Sequence, residues 1–84
     1  MMEIITKFEE AVANGNIVEI YRKFDCGYEH CNFQPIDVYV DDGVMELSFI
    51  DGVFGIPTKN LHYDDRENGY VSEINNAYTI ISIH

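Results

Sequence analysis

The densest grouping of chemically capable side chains in the chain is Asp25-Cys26-Gly27-Tyr28-Glu29-His30-Cys31. Thiolate and imidazole are the preferred ligands of Zn²⁺, and a structural site takes four of them in a tetrahedron. Cys26 and Cys31 offer two and His30 a third, although a histidine adjacent to Cys31 makes joint ligation awkward. His62, His84, a carboxylate or the same segment of a second copy would have to complete the set. A metal would also staple a chain too short to bury a large core. The plainer reading is two ordinary thiols in a polar loop, because the spacing has no second paired motif behind it. A Cys26–Cys31 disulfide is a third reading, disfavoured in a reducing cytosol. Thioredoxin-like redox chemistry needs a C-x-x-C spacing and a βαβ context, and neither is present.

Other chemistry is harder to assemble. His30, His62 and His84 are each a possible general base, but His30 reads as a loop residue, His62 as a strand-edge residue and His84 as a frayed end. No Ser or Cys stands in a nucleophile elbow, and no glycine-rich phosphate loop appears. Carboxylates are so abundant that close pairs arise by chance. A sheet domain of 84 residues leaves little room for a concave apolar pocket. The sequence therefore reads as a binding protein rather than an enzyme.

Charge is the loudest signal. Fifteen acids against five bases give a formal net charge of −10 and a pI near 4.3. Such a surface repels nucleic acid and anionic membranes and attracts basic surfaces. Between Phe24 and Thr58 stand Asp25, Glu29, Asp37, Asp41, Asp42, Glu46 and Asp51, with no Lys or Arg among them. Most charge runs are simply solvated faces that confer solubility. Carboxylates set along a twisted sheet can also imitate the phosphates of a duplex, whose field supplies much of the affinity of a basic groove. Six tyrosines exceed what so small a core absorbs, and tyrosine is a favoured contact residue at protein interfaces. Tyr28, in the cysteine segment, and Tyr63, beside Asp64 and Asp65, join the acids as candidate contacts.

Several elements must hold these residues in place. Ile4, Ile5, Phe8, Ala11 and Val12 recur at helical spacing, predicting a helix over 2–14 that Asn14-Gly15-Asn16 stops. The period then shortens to two, with strands at 17–24, 36–40, 44–50, 53–56, 70–74 and 78–83. Residues 25–34 read as a polar loop, and 60–63 as a turn or brief strand. Asp42-Gly43 and Asp51-Gly52 are hairpin signals, Asn75-Asn76 is a turn, and Pro57 ends a strand or marks an edge. The expected fold is one α+β domain over residues 1–84. Its N-terminal helix packs on a twisted antiparallel sheet of five to six strands, with a small SH3-like or Sm-like barrel as one form.

No signal peptide or membrane span is visible, which places the chain in a cytosol. In size, acidity, absence of a catalytic motif and a Cys/His segment able to take metal, it resembles the small phage-encoded anti-CRISPR proteins directed at Cas9. The resemblance is one of overall profile and carries no motif, so no residue role transfers with it. It implies an inhibitor that docks on the basic surface of a bacterial effector and blocks guide or target loading. The alternative expectation is an accessory scaffold, zinc-binding or of Sm/SH3-like shape, acting through protein–protein contacts; either form admits a homodimer.

Overall fold

The computed structural model describes residues 2–74 and 77–84. The expected Asn75-Asn76 turn lies outside the described residues. Helix α1 (Met2–Asn14) is followed by β1 (Val18–Phe24), β2 (Gly27–Phe33), β3 (Asp37–Asp41), β4 (Val44–Phe49), β5 (Gly52–Pro57), β6 (His62–Asp64), β7 (Gly69–Ile74) and β8 (Ala77–Ile83). The strands form two antiparallel sheets: a large one in the order β2-β1-β8-β7-β6 and a small one in the order β3-β4-β5.

The α+β architecture with one N-terminal helix is as the sequence predicts. Among the described residues there are eight strands rather than five or six. One of the added strands is β6. The other is β2, which replaces the expected polar loop over 25–34. Its residues Gly-Tyr-Glu-His-Cys-Asn-Phe lack an alternating apolar face because β2 is an edge strand, and six of its seven positions are exposed. Burial had nothing to imprint on that stretch.

The helix ends with paired backbone bonds, Gly15 N–H to Val12 O (3.3 Å) and Asn16 N–H to Ala11 O (2.9 Å). This is the Schellman pattern, which satisfies carbonyls the helix leaves open. One stripe of α1 is buried, with Phe8 and Ala11 at its centre and Ile4 and Ile5 beside them. Phe8 packs on Tyr70 with ring centroids 5.3 Å apart. Between the sheets lie Val18, Ile20 and Ile81 from the large sheet and Met45, Leu47 and Ile56 from the small one, with Leu61 from the connection ahead of β6. Alternation along β1 and β4 thus delivers the inner residues that period two foretells.

The turns set the register. Asp42 (φ 50°) and Gly43 (φ 74°) both lie in the left-handed region, as a two-residue hairpin of the primed type requires, and they join Asp41 to Val44. At the other end of β4 the turn is Ile50-Asp51, with Phe49 opposite Gly52. The hairpin is one residue earlier than Asp51-Gly52 suggests. Pro57 closes β5, a strand at the edge of the small sheet, where its missing N–H breaks no ladder.

Candidate functional site

Strand alternation sorts the acidic segment into distinct places. On β3 the inward positions are Val38 and Val40, so Asp37, Tyr39 and Asp41 face outward. Met45 and Leu47 of β4 are buried, so Glu46 faces outward too, directly opposite Tyr39. Asp42 stands at the tip of the same hairpin. The outer face of the small sheet therefore carries Asp37, Glu46 and Asp41 at successive levels, with Asp42 beyond them. At a rise of about 3.3 Å per residue, adjacent levels are about 6.6 Å apart. Glu46 is also one strand, about 4.8 Å, to the side, so it stands roughly 8 Å from Asp37 and from Asp41, about one screening length at physiological salt, and links them in a loose acidic row.

Tyr39 lies among them and is 58% exposed; Val53, opposite Ser48 on the same face, is also 58% exposed. Among the described residues no ion pair reaches Asp37, Asp41, Asp42 or Glu46. Among the described residues Asp37 accepts only a local bond, from the Val38 N–H at 2.9 Å. The face offers free carboxylates flanking an exposed phenol.

The remaining candidate contacts are elsewhere. Asp51 is in the turn at the far end of β4. Asp25 is at the tip of the β1–β2 hairpin. Glu29 sits on β2 with a carboxylate oxygen 3.5 Å from Arg22 Nη1, so its charge is already answered. Tyr28 stacks on Tyr21 across the hairpin at 5.2 Å. Tyr63 is on β6, at the edge of the large sheet away from β2, and donates its hydroxyl to Asn68 Oδ1 at 3.0 Å. Five of the seven acids expected to act together are thus on the small sheet, with Asp41 and Asp42 at one end of β4, Glu46 in the middle, and Asp37 and Asp51 at the other end, while Asp25 and Glu29 are on the large sheet.

The three expected metal ligands are also dispersed. Cys26 lies in the turn that follows Phe24, whereas Cys31 is on β2 opposite Ile20. The four residue steps from Gly27 to Cys31 span about 13 Å of extended strand, too far for two thiolates on one tetrahedral ion. His30 and Cys31, as strand neighbours, project to opposite faces. Both thiols are free. Among the described residues no group of three or more His, Cys, Asp or Glu is arranged to hold a metal.

Cys31 lines a groove with Ile20, Arg22, Glu29, His30 and Phe54. Although the residue is exposed overall, burial of the thiol, and then the Glu29 carboxylate, push its pKa up, with Arg22 opposing. A thiol held protonated is a poor nucleophile.

His30 has a different partner. Its Nε2 is 2.7 Å from Glu19 Oε2, and His84 Nε2 is 3.1 Å from Glu19 Oε1. These bonds hold the Glu19 carboxyl below the usual carboxylate range, the bond to His30 contributing most. His84 is not frayed. Its N–H donates to Ile17 O at 2.7 Å and its carbonyl accepts from Asn16 Nδ2 at 3.1 Å. Sequence reasoning had no route to this cluster, since its members are 11 and 65 residues apart and only the sheet order joins them. Tyr39 was recoverable, because it falls in phase with Asp37 and Asp41.

No protein-family model, curated protein or solved structure matches this chain. Among the described residues no helix is long and apolar enough to cross a membrane.

Proposed function

We propose that this protein is a non-enzymatic inhibitor of a bacterial nucleic-acid-binding effector, of the anti-CRISPR type directed at Cas9. It sets the acidic outer face of the small sheet against a basic surface and so blocks the loading of guide or target. The observation that carries the reading is the row Asp37, Glu46 and Asp41 with Asp42 beyond it, unpaired and on one rigid hairpin. A duplex strand presents one phosphate per ~3.4 Å of axis. Along the hairpin axis a carboxylate recurs about every 6.6 Å, alternating between β3 and β4, a sparser row than the phosphates but one that a cationic groove can follow. Tyr39 adds a rigid contact at the centre of the row.

The test is competition on purified effector. The inhibitor should bind the nucleic-acid-free form, be displaced by guide RNA or target DNA, and lose affinity steeply as salt rises. Binding that ignores salt and coexists with loaded nucleic acid would remove this mechanism. That second outcome would favour a scaffold acting through apolar contacts, for which the stacked Tyr21–Tyr28 pair and Tyr78, 41% exposed, supply a surface.

A further inference from the structure

Four strands end the two sheets, and three of them are guarded. β6 has three residues. β3 carries Asp37 and Asp41. β5 terminates in Pro57. Short length, charge and proline are the ordinary means by which proteins keep edges from pairing. β2 is neither short nor closed by proline, and its one charge is turned to Arg22 of β1. It is seven residues long, its one charged residue is Glu29, and among the described residues it pairs with β1 alone.

Hydrogen-bonded and non-bonded pairs alternate along an antiparallel ladder. Because Phe24 and Gly27 close the two-residue turn, the odd-numbered residues of β2 bond to β1, and the backbone groups of Tyr28, His30 and Asn32 point outward, unused. We propose that the chain forms a two-fold homodimer in which β2 pairs antiparallel with β2 of a second copy, centred on His30, joining the two large sheets into one.

The register follows from the residues. Centring on Glu29 would pair only residues 27–31 with each other, leave Asn32 and Phe33 outside the ladder, and set two carboxylates side by side across the seam even with Arg22 beside each. Centring on Cys31 would leave Gly27 facing Pro35 and shorten the ladder. Centring on His30 engages all seven residues, with Tyr28 beside the partner's Asn32 and Glu29 beside the partner's Cys31.

Charge permits a second copy at this edge, because the β1–β2 hairpin sets Arg22 and Lys23 against Glu19, Asp25 and Glu29, with Glu29 paired to Arg22 and Glu19 to His30. A molecule of net charge −10 meets its like with least repulsion where negative charge is lowest. Arg22 and Lys23, two of the five Lys and Arg, lie on β1 directly against β2. The single acid of β2 is already matched by Arg22. The joined sheet would also cover Tyr28, which is 67% exposed.

Sedimentation of the isolated chain across the micromolar range tests this without any effector, so its outcome is independent of the inhibitor reading. The expected species at the upper end is a dimer of twice the 9.7 kDa chain mass. The amides of Tyr28, His30 and Asn32 should exchange more slowly as concentration rises. Asn32→Pro removes one outward N–H while sparing the bonds to β1, and Tyr28→Lys places a gatekeeping charge on the edge. Each should weaken self-association by at least about tenfold. If Asn32→Pro misfolds, Tyr28→Lys decides alone. A monomer at every concentration, or a dimer that the folded variants leave intact, would overturn the proposal.

Discussion

The outer faces of the two sheets carry acids in opposite circumstances. On the large sheet, Glu19 is flanked by His30 and His84, which hold its carboxyl ionised to lower pH and tie the end of β8 to β1 and β2. On the small sheet, Asp37, Asp41 and Glu46 have no cationic neighbour within an ion-pair distance among the described residues. One carboxylate is tied into the fold, while the others are unpaired among the described residues and are the ones the proposed contact would use. Folding alone does not favour a row of like charges, which costs self-repulsion. A row kept unpaired beside an exposed tyrosine has the character of a contact surface.

Both faces hang on a single core, and the largest effects test that first. Leu47 of the small sheet and Ile81 of the large sheet are fully buried. Leu47→Ala and Ile81→Ala should each cost about 2–5 kcal/mol and lower one shared thermal transition. Two transitions, each sensitive to one substitution, would show that the sheets are independent and that the comparison concerns two units.

Next comes Gly69, where β7 runs close to β8. A Cβ there would meet Ile81 O and Ser82 Oγ, each at 2.8 Å. Gly69→Ala should destabilise by about 1–3 kcal/mol and disturb the large sheet while leaving effector binding by the small sheet unchanged at temperatures where the variant is folded. Loss of binding in that folded variant would mean the contact surface extends across both sheets.

A smaller effect is expected at Glu19. Its pKa is lowered in the folded state from a starting value of 4.5. The stabilisation is therefore present above that value and is lost as pH falls through the folded pKa. Glu19→Gln should lower Tm modestly at neutral pH, within the ~1 kcal/mol typical of exposed pairs. The gap to the native protein should close in acid. A gap that persists once the carboxyl is protonated in both states would assign the effect to packing instead.

The smallest effect belongs to the cysteine segment. With Cys26 in the turn and Cys31 along the strand, Cys26→Ser should change Tm by less than ~0.5 kcal/mol in equivalent stability, as surface substitutions do. A large loss accompanied by stoichiometric zinc in the native protein would mean that the hairpin is rebuilt around a metal.

How much of this was legible follows from what burial writes into a sequence. The helix stripe centred on Phe8, the alternation of Met45 and Leu47, and the Asp42-Gly43 turn each declare themselves, because one face of each element is fixed by the core or by backbone geometry. β2 was not legible, since an edge strand exposed on both faces carries no period. The acidic segment announced its composition but not its division. Asp37, Asp41 and Glu46 share a face through strand pairing, while Asp51 falls in the turn beyond the Asp37 end of β4 and Asp25 and Glu29 go to the other sheet. The Glu19 cluster depended on β8 lying beside β1, a long-range pairing that local pattern does not encode.

The most direct test compares two charge reversals on the same effector: Asp41→Lys, Asp42→Lys and Glu46→Lys together, against Glu9→Lys and Glu10→Lys on the exposed side of α1. If the hairpin row is the contact, the first set should weaken binding by more than about tenfold, some 1.4 kcal/mol, and flatten its dependence on salt, while the second changes affinity by less than about twofold. Equal losses from both sets would mean that any negative charge on the molecule serves, and that the row on the small sheet is not a site.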